Sequence, residues 1–95
     1  MFGKAKTLME LKKLQSQLAK EVVEVEAGDG AVKIQISGEQ KVKKVILDPA
    51  KLDQNDTAKL EHWLESAITQ AITKSQQIAA EKMKSLSGGL GIPGL

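Results

Sequence analysis

Few kinds of side chain in this sequence could do chemistry. Fourteen lysines, with no arginine, face twelve carboxylates and leave a net charge of +2. His62 is the one histidine and cysteine is absent. Without thiolates there can be no disulfide, thiolate metal site or cysteine nucleophile. His62 stands beside Trp63, with Glu61, Glu65 and Ser66 nearby on a helical pattern, but no second His or Cys can complete a metal shell. Nothing in the spacing fixes a Ser-His-Asp geometry. His62 therefore reads as a helix-surface or interface residue, and no enzymatic activity, metal or cofactor is expected.

The glycines do not read as a phosphate cradle. Gly28-Asp29-Gly30 sets a carboxylate where a phosphate would sit, and a strand pattern follows it, whereas a cradle needs amides at a helix N-terminus. Gly88-Gly89 falls at the C-terminal end of a helical pattern, the wrong pole of the dipole for an anion. No polar cluster converges on a small-molecule pocket.

That leaves the lysines. Residues 1–20 carry Lys4, Lys6, Lys12, Lys13 and Lys20 against Glu10 alone, a local balance of 5 − 1 = +4. Glu21, Glu24, Glu26 and Asp29 reverse the sign, and Lys33, Lys41, Lys43, Lys44 and Lys51 restore it against Glu39 and Asp48. Lysine is a point charge suited to phosphate, whereas bidentate reading of guanine favours arginine. Phe2 and Trp63 are the only aromatics, so a platform for stacked bases is also lacking. A nucleic-acid ligand would be duplex backbone, bound with little sequence preference and strong salt sensitivity.

The elements that position these charges follow from periodicity. Ninety-five residues with 41% apolar content suit one small domain. Leu8, Leu11, Leu14, Leu18 and Val22 recur at helical spacing, predicting a first helix over 5–21. Residues 22–27 alternate as a strand, with Val23 and Val25 on one face. The Gly28–Gly30 turn follows, then a strand over 31–37 with Val32, Ile34 and Ile36 on one face. Gly38-Glu39 turns the chain again into a third strand, about 40–48, where Val45, Ile46 and Leu47 are consecutive. A bulge near Lys43-Lys44 would bring Val42, Val45 and Leu47 to one face. Pro49 ends that strand. Asn55 or Asp53 is expected to cap a long second helix, with Asp56 in its first turn. Its stripe runs from Leu60 to Leu86 until Gly88-Gly89 stops it. Residues 1–87 thus form one domain and 88–95 a flexible Gly/Pro-rich tail.

A helix of ~32 residues spans ~48 Å, against ~20 Å for a six-residue strand. Part of it must overhang the sheet, covered in part by the first helix as an antiparallel arm. The rest of the stripe and the second face of the third strand need another chain, and a symmetric dimer supplies it. Val45, Ile46, Leu47, Leu64, Ile68 and Ile72 are the expected interface residues. No apolar run is long enough to cross a bilayer and no signal-peptide pattern opens the chain, which reads as cytoplasmic.

Four features also carry a family resemblance: the Lys- and Gln-rich first helix; "GDGAVKIQISG"; "VKKVILDPAKL", with Asp48-Pro49 closing the third strand; and "AAEKMKSLSGGLGIPGL". In this order and spacing the chain resembles the YbaB/EbfC family of small nucleoid-associated DNA-binding proteins over nearly its whole length. The resemblance implies an α+β protomer of order α-β-β-β-α, forming an intimate homodimer with helical arms projecting from a central sheet. It implies double-stranded DNA as partner, a place in the nucleoid, a regulatory role in gene expression, and replication or recombination-repair proteins as conceivable partners. It brings no catalytic motif. The sequence departs from many relatives in lacking Arg and in a start less rich in Gly and Met, which speaks against sequence-specific recognition.

On this reading Lys4 and Lys6 approach Lys82 and Lys84 at the arm tip, with Lys12 and Lys13 along the arm, and these six are the expected phosphate contacts. Lys33, Lys41, Lys43 and Lys44 on the sheet come second, with solvation and edge protection their simpler role. The competing reading is a protein–protein adaptor for a replication or repair factor, with weak or no DNA binding.

Overall fold

The structure, a computed structural model, describes residues 2–90, with side chains described over 8–84. Helix α1 (Phe2–Lys20) leads into β1 (Val22–Ala27), β2 (Val32–Ser37) and β3 (Val42–Leu47). A 3₁₀ turn at Pro49–Lys51 follows, then helix α2 (Thr57–Leu90). The strands form one antiparallel sheet in the order β1-β2-β3, so the predicted α-β-β-β-α meander is the observed fold.

Alternation selects the core. Val25 on β1 and Val32, Ile34 and Ile36 on β2 are buried against Ala67 and Ala71 of α2, with Val23, Ala27, Leu60, Trp63 and Leu64 packed around them. Small alanines at 67 and 71 let the helix lie close to the β-branched floor. Val22, where the helical spacing of leucines also ends, opens β1 as the strand pattern over 22–27 predicts, and is exposed. Helix α1 ends at Lys20, one residue before the predicted bound at 21, and the strand starts where predicted.

The two turns use different means. In the first, Gly28, Asp29 and Gly30 all take positive φ, +64°, +57° and +85°. Gly28 has a second reason to lack a side chain, because a Cβ there would lie 2.4 Å from the Trp63 ring. In the second turn the positive φ falls on Gln40, at +64°, and not on Gly38. Gly38 is needed for space: a Cβ would come within 2.8 Å of Ile78 Cγ2 and 3.0 Å of Leu18 Cδ2.

The bulge expected in β3 is present. Gln35 pairs with Lys44 and Ile36 with Val42, leaving Lys43 as the extra residue. Val42, Val45 and Leu47 therefore lie opposite Ile36, Ile34 and Val32, on the sheet face that α2 packs upon. Ile46 pairs with Lys33 and faces the other way.

Two expectations about α2 need correction. Its cap is Asp56, whose Oδ1 accepts from Lys59 N at 3.1 Å, while Asp53 instead accepts from Asn55 N in the preceding loop at 2.9 Å. Both carboxylates can turn a chain, and the one that satisfies a helix amide is the one three residues before it. The helix also continues through Gly88 and Gly89 to Leu90. Glycine weakens a helix by ~1 kcal/mol relative to alanine without barring it. Residues 91–95, including Pro93, lie outside the described part of the chain.

Candidate nucleic-acid interface

The site begins with the helix that outruns the sheet. At 34 residues α2 is ~51 Å long, far beyond the strands. Its contacts with the sheet end near Ser75, whose buried Oγ donates to Ser37 O at 2.7 Å, and Ile78, which meets Gly38. α1 arrives at this same point by its C-terminal end, since Gly38 N donates to Leu18 O and Glu21 O at 3.0 and 2.9 Å. The Cα atoms extend 62 Å along one axis but only 23 and 15 Å across it. α1 therefore lies along the overhang of α2, antiparallel to it. The two helices make an arm standing on a sheet-and-helix body.

Charge divides along the same line. Residues 1–21 and 79–95, which contain the arm, hold seven lysines against three glutamates, a balance of +4. Residues 22–78 hold seven lysines against nine carboxylates, a balance of −2. The net +2 of the whole chain thus conceals a basic prong on an acidic body.

Individual lysines differ in how free they are. Lys12, Lys13, Lys20 and Lys84 are exposed on the arm. Lys82 lies 3.4 Å from Glu21, where α1 meets the sheet. That places Lys82 at the arm's base, away from the free end where the sequence reading put it. Lys4 and Lys6 belong to α1, but their side chains fall outside the described residues. Two body lysines have local work: Lys51 Nζ donates to Asp29 O across the first turn, and Lys59 Nζ sits 4.9 Å above the Trp63 ring centroid. Lys41, Lys43 and Lys44 are exposed at the β3 end of the sheet, and Lys33 is half-buried beside Glu26 of β1.

A groove of about 380 Å³ beside the first turn is lined by Lys33 and Lys51 but also by Glu26, Asp29 and Asp48. With carboxylates outnumbering lysines it offers an anion no net attraction. His62 is exposed, and among the described residues no group of three or more His, Cys, Asp or Glu could hold a metal ion. No helix of the described residues is long and apolar enough to cross a membrane.

The body also carries an apolar trough. Gln70 donates to Glu26 O of β1 and Trp63 rests on Gly28, so that flank of α2 overlooks β1. At 3.6 residues per turn, Ile68 and Ile72 fall on the opposite flank, above β3. There α2 leaves β3 uncovered: Val42, Val45 and Leu47 are 56%, 51% and 43% exposed, and Ile68 and Ile72 are exposed beside them. Leu64 is partly covered by the core. Of the six expected interface residues, five border this trough and Ile46 does not, because alternation with Val45 and Leu47 puts it on the second face of β3. Sequence reasoning left Val42 off that interface although the predicted bulge put it there. It also missed Met83, exposed on the flank of α2 that continues the trough into the arm.

The same fold and sequence pattern recur in known proteins. The YbaB/EbfC DNA-binding family model matches residues 1–90. A nucleoid-associated protein of Thermoanaerobacter sp. (strain X514) is 35% identical over 86 residues, covering 90% of this chain and 78% of its own length. One from Myxococcus xanthus is 37% identical, covering 85% and 77%, and one from Chloroflexus aggregans 38%, covering 85% and 81%. An uncharacterized protein from Helicobacter pylori, known from its crystal structure, shares the fold with a TM-score of 0.65. It has 17% identity, over 90% of this chain and 95% of its own.

Proposed function

Because the chain belongs to the YbaB/EbfC DNA-binding family, we propose that it works as a homodimer whose helical arms grip the backbone of double-stranded DNA. The observation that carries this reading is the split of charge, +4 on the arm segments and −2 on the body. A duplex is drawn to the prong and repelled by the base. Lys12, Lys13 and Lys84, with Lys4 and Lys6, are the contacts. Lys82 is a weaker one because Glu21 shares its charge. With lysine alone, the contacts fix position without reading bases.

The trough over β3 is the proposed dimer interface. Val42, Val45, Leu47, Ile68 and Ile72 form an apolar patch wider than an isolated exposed residue would need. Two copies facing each other through it would bury the patch on both and hold two arms on one particle. In the cell the dimer would reside in the nucleoid and influence gene expression by occupying DNA without regard to sequence.

A salt titration on unrelated duplexes tests this reading. Binding should be similar across sequences and fall steeply with salt. Changing Lys12, Lys13 and Lys84 together to Ala should weaken it on every duplex, lowering the salt slope by about one for each phosphate no longer neutralised. The same change at Lys41, Lys43 and Lys44 should cost far less. Equal losses from both sets would remove the arm assignment. Negligible duplex affinity at low salt would favour the adaptor reading.

A further inference from the structure

The end of α1 is tied to the body at a compact knot, whose atoms point to a role beyond holding the chain together. Gly38 N donates to two α1-end carbonyls, Leu18 O and Glu21 O. Ser37, the last residue of β2, is fully buried; its carbonyl accepts the hydroxyl of Ser75 on α2, and its own Oγ accepts from Glu39 N and Lys41 N at 3.3 and 3.4 Å. Two adjacent residues thus tie α1, α2 and the β2–β3 turn at one point. The tolerance is small. A Cβ on Gly38 would meet Ile78 Cγ2 at 2.8 Å, Leu18 Cδ2 at 3.0 Å and the Leu18 carbonyl at 3.2 Å. Ile78 Cγ2 sits at the branch of a stiff side chain and the carbonyl is helix backbone, so neither can swing aside cheaply. Gly38 is not at positive φ, so alanine meets no backbone penalty there and its whole effect is displacement.

We propose that the Ser37–Gly38 knot is the positioning element of the DNA grip: it sets the angle at which α1 leaves the body, and with it the separation of the two sets of arm lysines in a dimer. This rests on the reading that the arms bind DNA. A lever explains why so small a site matters. Along α1, Lys12 stands eight residues from Lys20, or ~12 Å. A wedge at the pivot is therefore amplified toward the free end, while the sheet behind it is untouched.

The chain has no cysteine, so paired spin labels can be placed cleanly at Ser16→Cys on α1 and Thr69→Cys on the outer face of α2, both exposed. Labelled chains diluted into excess unlabelled protein report the distance within one protomer. Trp63, at the far end of the body against Gly28, reports whether the core is intact. Gly38→Ala should shift the label distance and weaken duplex binding about tenfold with Trp63 emission unchanged. Adding Ile78→Ala, which removes the nearest clashing atom, should bring distance and affinity back toward wild type. An unchanged distance in Gly38→Ala would overturn the proposal, as would a shifted distance with unchanged affinity while the Lys12, Lys13 and Lys84 variant still loses binding. If that lysine variant also binds normally, the arm reading itself has failed. Should Gly38→Ala not fold, Ile78→Ala alone carries the test: a broadened distance distribution with weaker binding supports the pivot, and an unchanged distribution overturns it.

Discussion

The two halves of α2 are one continuous helix in two different environments. Its first half presents Leu60, Leu64, Ala67 and Ala71 to three strands, and Trp63 closes the end of the core against Gly28. Its second half leaves the sheet after Ser75 and Ile78 meet Ser37 and Gly38, and its further neighbour is α1, whose buried side chains among those described are Leu14 and Leu18. The first half is held by packing on a β-branched floor. The second depends on helix propensity, one neighbour and the knot at Gly38. The difference explains how a chain of 95 residues can have both a core and a prong: the core is anchored over half a helix so that the other half can project. It also explains the charge split, because a lysine-rich face is tolerable where little must be buried.

The strongest way to test this contrast is to remove equal volumes from the two halves. Ile34 is 2% exposed in the centre of β2, and Ile34→Ala should cost about 3 kcal/mol. Urea unfolding followed by Trp63 emission measures it. Well below the midpoint, duplex affinity should stay within about twofold of wild type, since the arm is unaltered. Leu14→Ala removes a similarly buried side chain from the arm, where collapse is easier, and should cost about 2 kcal/mol, the low end for such changes. Here the order of effects reverses: duplex affinity should fall while Trp63 unfolds near its wild-type midpoint. Identical unfolding and binding profiles for the two variants would mean that arm and body are one cooperative unit and that the contrast is only geometric.

How much of this was legible in the sequence differs between the same two regions. The body was readable because its signals are local: alternation in Val32-Ile34-Ile36, three consecutive apolar residues that required a bulge, and two glycine turns. The overhang of α2 followed from counting residues against strand length. What could not be read were facts set by distance in space. Asp53, Asn55 and Asp56 are all competent caps, and only the helix start decides between them. Gly38 looked like a turn residue, yet its need is for room between Leu18 and Ile78, which lie on different helices far apart in the chain. Lys82 looked like a tip residue until Glu21 was found beside it. The place of Ile46, on the face opposite Val45 and Leu47, follows by contrast from strand parity, which is local and was readable.

A milder perturbation probes whether α2 is coupled along its length. Asp56→Ala removes the acceptor for Lys59 N and should cost about 1 kcal/mol. The loss should be local: fraying of the first turn would loosen Lys59 over Trp63 and change its emission before the main transition. Duplex affinity should not change, because the cap is at the opposite end of the helix from the arm. A fall in affinity comparable to that of Leu14→Ala would instead show strain passing along α2, and the two halves would have to be treated as one lever.

The smallest expected effect has the most informative sign. Lys82 and Glu21 form an ion pair at 3.4 Å with side chains 36% and 49% exposed. Solvent screening limits its contribution to at most about 0.5 kcal/mol, so Glu21→Gln should barely move the unfolding midpoint. Its effect on binding should be favourable. The change deletes one of the three carboxylates among the arm segments, relieves repulsion of the approaching phosphate and frees Lys82 to pair with it. Affinity for any duplex should rise about twofold at low salt, with the gain vanishing as salt screens it. A substitution that leaves stability alone yet tightens binding on unrelated sequences is hard to reconcile with a purely structural arm. Weakened binding would mean that Glu21 holds Lys82 in place for DNA, and Lys82 would then move from the weakest of the arm contacts to a principal one.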